Sequence, residues 1–528
     1  MGKAFAACLL PPAPCLKGAG IFCRAGKGMP LVCPAAFRYN GQESVCGESC
    51  LRQLLPGCGA RLSGWKERGG NDLEKVKKQV STDMTKGSPA KLICLFALPL
   101  LAGNVLQQFY NMVDSIVVGN FVGDAALAAV GTGFPVIFML VSLFMGMSTG
   151  ATVMISQYYG AGDRERMKKT IGTIYNAMMI GAIPLTVAGI LLAGPLLRLM
   201  NVPEDAFGMA RTYVMVVFAG VVGNLGYNVN AGILQGLGNS KTPLLFLSIA
   251  CGMNVVLDLL FVAVFHWGVF GAAFATIIAQ FCSWVFGILY INKHYPDLHI
   301  HPFRKNFDRR LFAQAMKLGI PSGIQQALFS VGIMVLQTLI NRYDTAFIAG
   351  FQGANKLDTF SFMPVQSFSI AMTTYVGQNI GAGKMERVNR GLLAGTAMSA
   401  GVNVVMALVL IPLGGVCMRM FSQDLAVIEA GCAYLNRVMP FYFIFSFLSL
   451  LNAVMRGAGE TVVPMVSTLL SLWLVRLPAA YWLADHFGRD NLFYCYAIGW
   501  TVGLLLAGAY YLTGRWKRKS LIAGGASA

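Results

Sequence analysis

Apolar runs of roughly 20 residues recur along this 528-residue chain, and a chain built from such runs has few folds open to it. A hydrocarbon layer about 30 Å thick is crossed by about 20 helical residues, and within it each backbone N–H and C=O must be satisfied inside its own segment. The expected fold class is therefore an all-α polytopic membrane protein with twelve transmembrane helices in two pseudo-symmetric six-helix lobes. The runs place the spans at 91–118, 128–155, 171–197, 209–235, 243–265, 269–292, 314–341, 351–378, 392–414, 431–455, 464–484 and 493–514. A soluble multidomain chain is excluded by composition, since 56% of residues are hydrophobic and only 12% charged.

A formal net charge of +18 suits nucleic acid only if the basic residues gather on one domain. They gather instead in alternate loops. "GDRERMKKT", "NSKTP", the stretch from Lys293 to Lys317, "GKMERVNR", "MRGAGE" and the tail "RWKRKS" together carry about nineteen Lys and Arg, and the opposite loops carry about six. The basic set is expected on the cytoplasmic side, with both termini there too. The lipid bilayer is therefore the expected partner, and nucleic acid is not.

Before residue 84 the chain is different. Seven of its 13 cysteines precede residue 59, among Pro, Gly and basic residues, with no apolar period for a helix or strand. "CGESC" with Cys58 matches no zinc-ligand spacing, and "FAACLLPPAPC" is too short and Pro-broken for a signal peptide. Residues 1–83 are expected as a disordered extension, with the working chain starting near Met84. The lobes are then 84–300 and 301–520, and 521–528 form a tail.

The lobes are expected because the sequence repeats itself. "QYYGAGDRERM" (157–167) returns as "QNIGAGKMERV" (378–388), and "LQGLGNSKTPL" (234–244) as "MRGAGETVVPM" (455–465), both 221 residues on. Tyr213 and Tyr434 keep that offset, while Pro99 and Pro321 are 222 apart. Six spans per half is an even number, so the halves run parallel about an axis along the membrane normal, with a pathway between them.

"TKGSPAKLICLFALPLLAGNVLQQFYNMVDSIVVG", "SQYYGAGDRERMKKTIG", "LQGLGNSKTPL" and "NVVLDLLFV" resemble the multidrug and toxic compound extrusion (MATE) transporters, in particular their bacterial DinF-like branch. The resemblance runs from about Met84 to Arg515. It implies a secondary active antiporter in the bacterial inner membrane, exporting organic, often cationic and amphipathic, compounds in exchange for protons or sodium ions. It implies small organic molecules as substrates and a monomeric state. The sequence shows no metal-ligand cluster, nucleophile elbow or phosphate loop, so no enzyme activity, metal or cofactor is expected.

Asp114 falls near the end of the first apolar run, and an acid persists in such a place mainly where it faces a cavity or a partner. Asp258 lies on span five, and Asn254, four residues earlier, shares its helix face. The resemblance carries the family's cation site onto Asp114, Asn254 and Asp258, where two carboxylates held close cannot both ionise cheaply. In the second lobe no mid-span acid is expected, so coupling rests on the first lobe. Arg476 falls near mid-membrane on span eleven, where it either snorkels and bonds carbonyls freed beside Pro478 or lines the pathway as a fixed positive charge. Gln108, Asn111, Gln280, Gln326 and Gln337 are further candidates for the pathway, with Gln325 and Gln366 beside them, and Pro99 for a helix bend. His299 and His301 are expected in a solvated linker. A lipid or polysaccharide flippase of the same superfamily is the rival reading, kept open by Arg476.

Overall fold

The structure, a computed structural model, describes residues 21–24, 30–33, 37–39, 42–44 and 82–521, the last without 201, 299 and 301–306. The chain divides into two compact units, 1–79 and 80–528. In the first, Ile21–Arg24 pairs antiparallel with Pro30–Cys33, and Phe37–Tyr39 with Gln42–Ser44. The expectation of a disordered extension before Met84 falls for the most part on residues outside those described. Ile, Phe, Val and Tyr in these segments favour the pleated conformation. The "CGESC" cysteines with Cys58, and His299 and His301, lie outside the described residues.

The second unit is helical. Ten of its described helices are long and apolar enough to cross a bilayer: Pro89–Phe121, Asp124–Ala161, Arg164–Leu199, Lys241–Val264, Gly268–His294, Arg309–Ile340, Met385–Arg419, Leu425–Gly457, Val462–Phe487 and Arg489–Leu512. An eleventh is a pair, Glu204–Ala219 and Val221–Gly236, bent by 53°. The remaining expected span is the 37-residue helix Thr345–Gly381, long enough but laced with Gln352, Asn355, Lys356, Asp358 and Gln366, which dilute its hydropathy. In chain order these are spans one to twelve, most of them longer than the apolar runs because polar ends extend each helix. Pro99 lies within an uninterrupted first span.

Side-chain caps start several spans. Asp163 accepts from the Arg166 N–H, Asp344 from that of Phe347 and Asp424 from that of Ala426. Span five ends in π geometry, at Leu259–Val264, and span eleven passes through it in mid-course, at Leu470–Arg476. Such widened turns collect at functional sites. One begins directly after Asp258 and the other ends on Arg476.

The repeat is written into the hydrogen bonds. Ser148 Oγ donates to the Asn228 carbonyl at 2.7 Å and Ser369 Oγ to that of Ser449 at 3.5 Å, while Thr152 Oγ1 and Thr373 Oγ1 donate to Gly232 and Ala453 at 3.1 and 3.4 Å. Each pair is related by the 221-residue offset. So are the turn glycines with positive φ, Gly162 (74°) with Gly383 (71°) and Gly238 (84°) with Gly459 (95°).

The two halves meet backbone to backbone. A Cβ on Gly150 of span two would lie 2.7 Å from the Ala315 carbonyl of span seven, and one on Gly160 would strike the carbonyl of Gln378 on span eight. Small residues let these helices approach that closely. Two fully buried glutamines then cross from one half to the other. Gln157 Nε2 donates to the Gly457 carbonyl at 2.8 Å, and its repeat mate Gln378 Nε2 donates to the Gly236 carbonyl at 3.0 Å. The flanks of the helical unit complete both amides: Gln378 Oε1 accepts from the Met84 N–H and Gln157 Oε1 from the Leu521 N–H, each at 3.0 Å. Met84 is therefore a buried residue whose N–H is engaged, and Thr82 before it donates to the Gly238 carbonyl at 3.1 Å. Leu521, expected in a tail, belongs to the fold.

Candidate functional site

Span one carries Asp114 and span five carries Asn254 and Asp258 into the first half, and all three are buried. Asn254 Nδ2 lies 3.4 Å from Thr276 Oγ1 as placed. With its amide turned over, the group donates to Asp258 Oδ2 at 2.7 Å and accepts from the Thr276 N–H at 3.2 Å, so the network assigns that orientation. Thr276 Oγ1 also lies 3.1 Å from the Tyr110 hydroxyl. Asp114, Asp258, Tyr110 and Tyr213 share one buried neighbourhood. One oxygen of each acid, Oδ1, has no hydrogen-bond partner. Two acids with spare oxygens among an amide and hydroxyls can take up a proton or a hard cation, both of which favour such oxygen ligands.

A second feature lies between the halves, a cavity of about 360 Å³ lined by residues of spans two, four, seven, eight, ten, eleven and twelve. Of the sequence candidates, Gln326 and Arg476 line it, as do Gln325 and Gln366. Gln108, Asn111, Gln280 and Gln337 do not. Gln337 instead donates to Asn341 Oδ1 at 2.7 Å and accepts from Gln352 at 3.1 Å, a polar contact between spans seven and eight. The acids of the first half are not part of the lining, so the acidic cluster and the cavity are separate.

Two residues were missed. Arg456, expected among the cytoplasmic loop charges, lines the cavity at the end of span ten and donates from Nη2 to Ser369 Oγ at 2.8 Å. A signal for it existed, because the aligned repeat "LQGLGN" and "MRGAGE" sets Arg456 opposite Gln235, a break in otherwise matched polarity. The expectation of no mid-span acid in the second half is also wrong. Asp358 of span eight is buried beside Tyr434, Tyr442 and Arg476. Its neighbour Tyr434 is the repeat mate of Tyr213, so each half sets a tyrosine beside buried acid.

Comparison with known proteins agrees with this architecture. The MatE family profile matches twice, at residues 99–260 and 321–482, starting 222 residues apart. "Probable multidrug resistance protein YpnP" of Bacillus subtilis is 30% identical over 439 residues, covering 83% of this chain and 98% of that protein. "Probable multidrug resistance protein YoeA" of the same organism is 27% identical over 451 residues, covering 84% and 97%. A crystal structure of MATE in the straight conformation superposes with a TM-score of 0.75 at 23% identity, covering 82% of this chain and 98% of that one.

Proposed function

The chain belongs to the MATE family of multidrug transporters, and from that premise we propose that Asp114, Asp258 and Asn254 form the site where inward movement of a proton or sodium ion is coupled to the export of organic molecules. It is a multi-pass membrane protein and an efflux antiporter. The basic loops favour an inner-membrane location with both ends of the helical unit in the cytoplasm. The glutamine-linked end of the bundle, next to the turns at Gly162, Gly238, Gly383 and Gly459, is then the cytoplasmic end, and it is closed in this structure. We take the transported ion to be cargo, with no resident cofactor, and the monomer to be the working unit.

The observation that carries the coupling reading is the pair of buried acids with unpartnered oxygens at the π-turn of span five. A group that binds the ion in one state and releases it in the other must be shielded, chargeable and close to a helix able to shift. Inward movement of one charge supplies about 2.3 kcal/mol per 100 mV, available for uphill export only if such a group cycles.

The test is gradient-driven uptake of a panel of fluorescent amphiphiles into everted vesicles, which measures export, under imposed proton or sodium gradients. Asp114→Asn and Asp258→Asn keep side-chain size and remove the titratable charge. Well-expressed variants are expected to lose gradient-driven export while purified protein still binds dye. Parent-like efflux from both places coupling elsewhere.

A further inference from the structure

We infer that the cavity between the halves selects substrates bearing a negatively charged group, a carboxylate or phosphate attached to an aromatic or aliphatic body. This rests on the export reading above and specifies what is exported.

The cavity lining contains two guanidinium groups, Arg456 and Arg476, and no carboxylate. Among the described residues neither arginine has an acid within ion-pair distance. Arg476 is only 6% exposed, its Nε has no hydrogen-bond partner, and its guanidinium rests on the Tyr496 ring, 3.4 Å from the centroid. Among the described residues Arg456 donates to the neutral hydroxyl of Ser369. A buried cation without a paired anion is costly unless it serves a ligand. Asp358, within electrostatic reach of Arg476 but outside the lining, can offset at most one of the two charges.

The repeat sharpens the point. The cavity is built from both halves, yet the mates of the two arginines are Gln235 and Val255. Positive charge therefore belongs to the second half's wall alone, while the buried acids, Asp114 and Asp258 in the first half and Asp358 in the second, all lie outside the lining. A guanidinium fork matches the planar oxygens of a carboxylate or phosphate. Around it, Gln325, Gln326 and Gln366 supply neutral polar groups, and Phe329, Phe362 and Trp500 supply apolar faces. The volume of about 360 Å³ lies within the range for small-molecule pockets.

Two xanthene dyes of near-identical shape, one with net negative charge (a fluorescein) and one with net positive charge (a rhodamine), test this on the purified full chain by fluorescence anisotropy and in proteoliposomes by efflux. The parent is expected to bind the anionic dye at least tenfold more tightly. Arg456→Gln, which copies the other half, and Arg476→Met are each expected to abolish that preference, and Arg456→Lys to keep part of it. Equal or tighter binding of the cationic dye by the parent overturns the inference. So does an unchanged preference in Arg456→Gln, a substitution to the residue the fold already carries at Gln235. Loss of all gradient-driven efflux in the parent refutes the antiport reading instead, while the anisotropy arm still decides charge preference. A third arm follows a short-chain fluorescent phosphatidylglycerol between leaflets; its transfer in place of the dye would overturn the small-molecule assignment in favour of a lipid.

Discussion

Gln157 and Gln378 are the residues whose loss most directly tests the closed end of the bundle. Methionine keeps the length of glutamine and removes its amide. Gln378→Met deletes the bonds to the Gly236 carbonyl (3.0 Å) and from the Met84 N–H (3.0 Å), leaving both backbone groups buried. Each lost bond costs about 0.5–1.5 kcal/mol net, and an orphaned buried partner about 1–3 kcal/mol. A total of about 2–4 kcal/mol follows for the closed state. When the cytoplasmic end opens, water can reach the same groups and the penalty falls away. At 1.4 kcal/mol per tenfold, the closed-to-open ratio shifts by a factor of roughly 30 to several hundred, enough to turn a minor open state into the major one. Gln157→Met is expected to act alike, since it loses bonds to Gly457 and Leu521. The assay is electron-spin-resonance distance measurement between labels at Lys169→Cys and Arg390→Cys, exposed repeat mates on opposite halves, in a background free of other cysteines. Both glutamine variants are expected to show a longer distance population at the expense of the parent's. Parent-like distance distributions in both would show that these bonds do not hold the end shut.

Two further substitutions probe the scaffold. Gly150→Val drives a branched side chain against the Ala315 carbonyl, where even a Cβ would be 2.7 Å away, and is expected to cost about 1–3 kcal/mol or more, read as a lowered melting temperature in detergent. Asn230→Ala removes the donor to the Trp284 carbonyl (2.9 Å) and the acceptor for Tyr175 OH in the first half. A loss of about 1–3 kcal/mol is expected by the same measurement, and an unchanged melting temperature would show that these buried groups find other partners.

Much of this protein was legible in its sequence because bilayers and duplications leave one-dimensional marks. Hydrophobic length placed the spans within several residues, since a helix must cross a layer of set thickness. The 221-residue offset foretold two halves, and its glycine, serine and threonine positions reappear as the same turns and hydrogen bonds. Asp114, Asn254 and Asp258 were found because an acid stands out in an apolar run and residues four apart share a helix face. Asp358 was passed over because span eight is polar enough that one more polar residue raises no contrast. Arg456 was passed over because Gly-rich sequence beside it reads as a turn.

The sequence by itself determined the membrane fold, the number of spans, the doubling and the acidic cluster, all set by local composition, periodicity and spacing along the chain. Only the tertiary structure decided which polar residues share a cavity, that Gln157 and Gln378 cross between the halves, and that two arginines face a wall without acids. Those facts depend on which helix faces meet and how closely their backbones approach. Residues such as Gln326, Arg456 and Arg476 are far apart in sequence, and packing alone brings them to one wall.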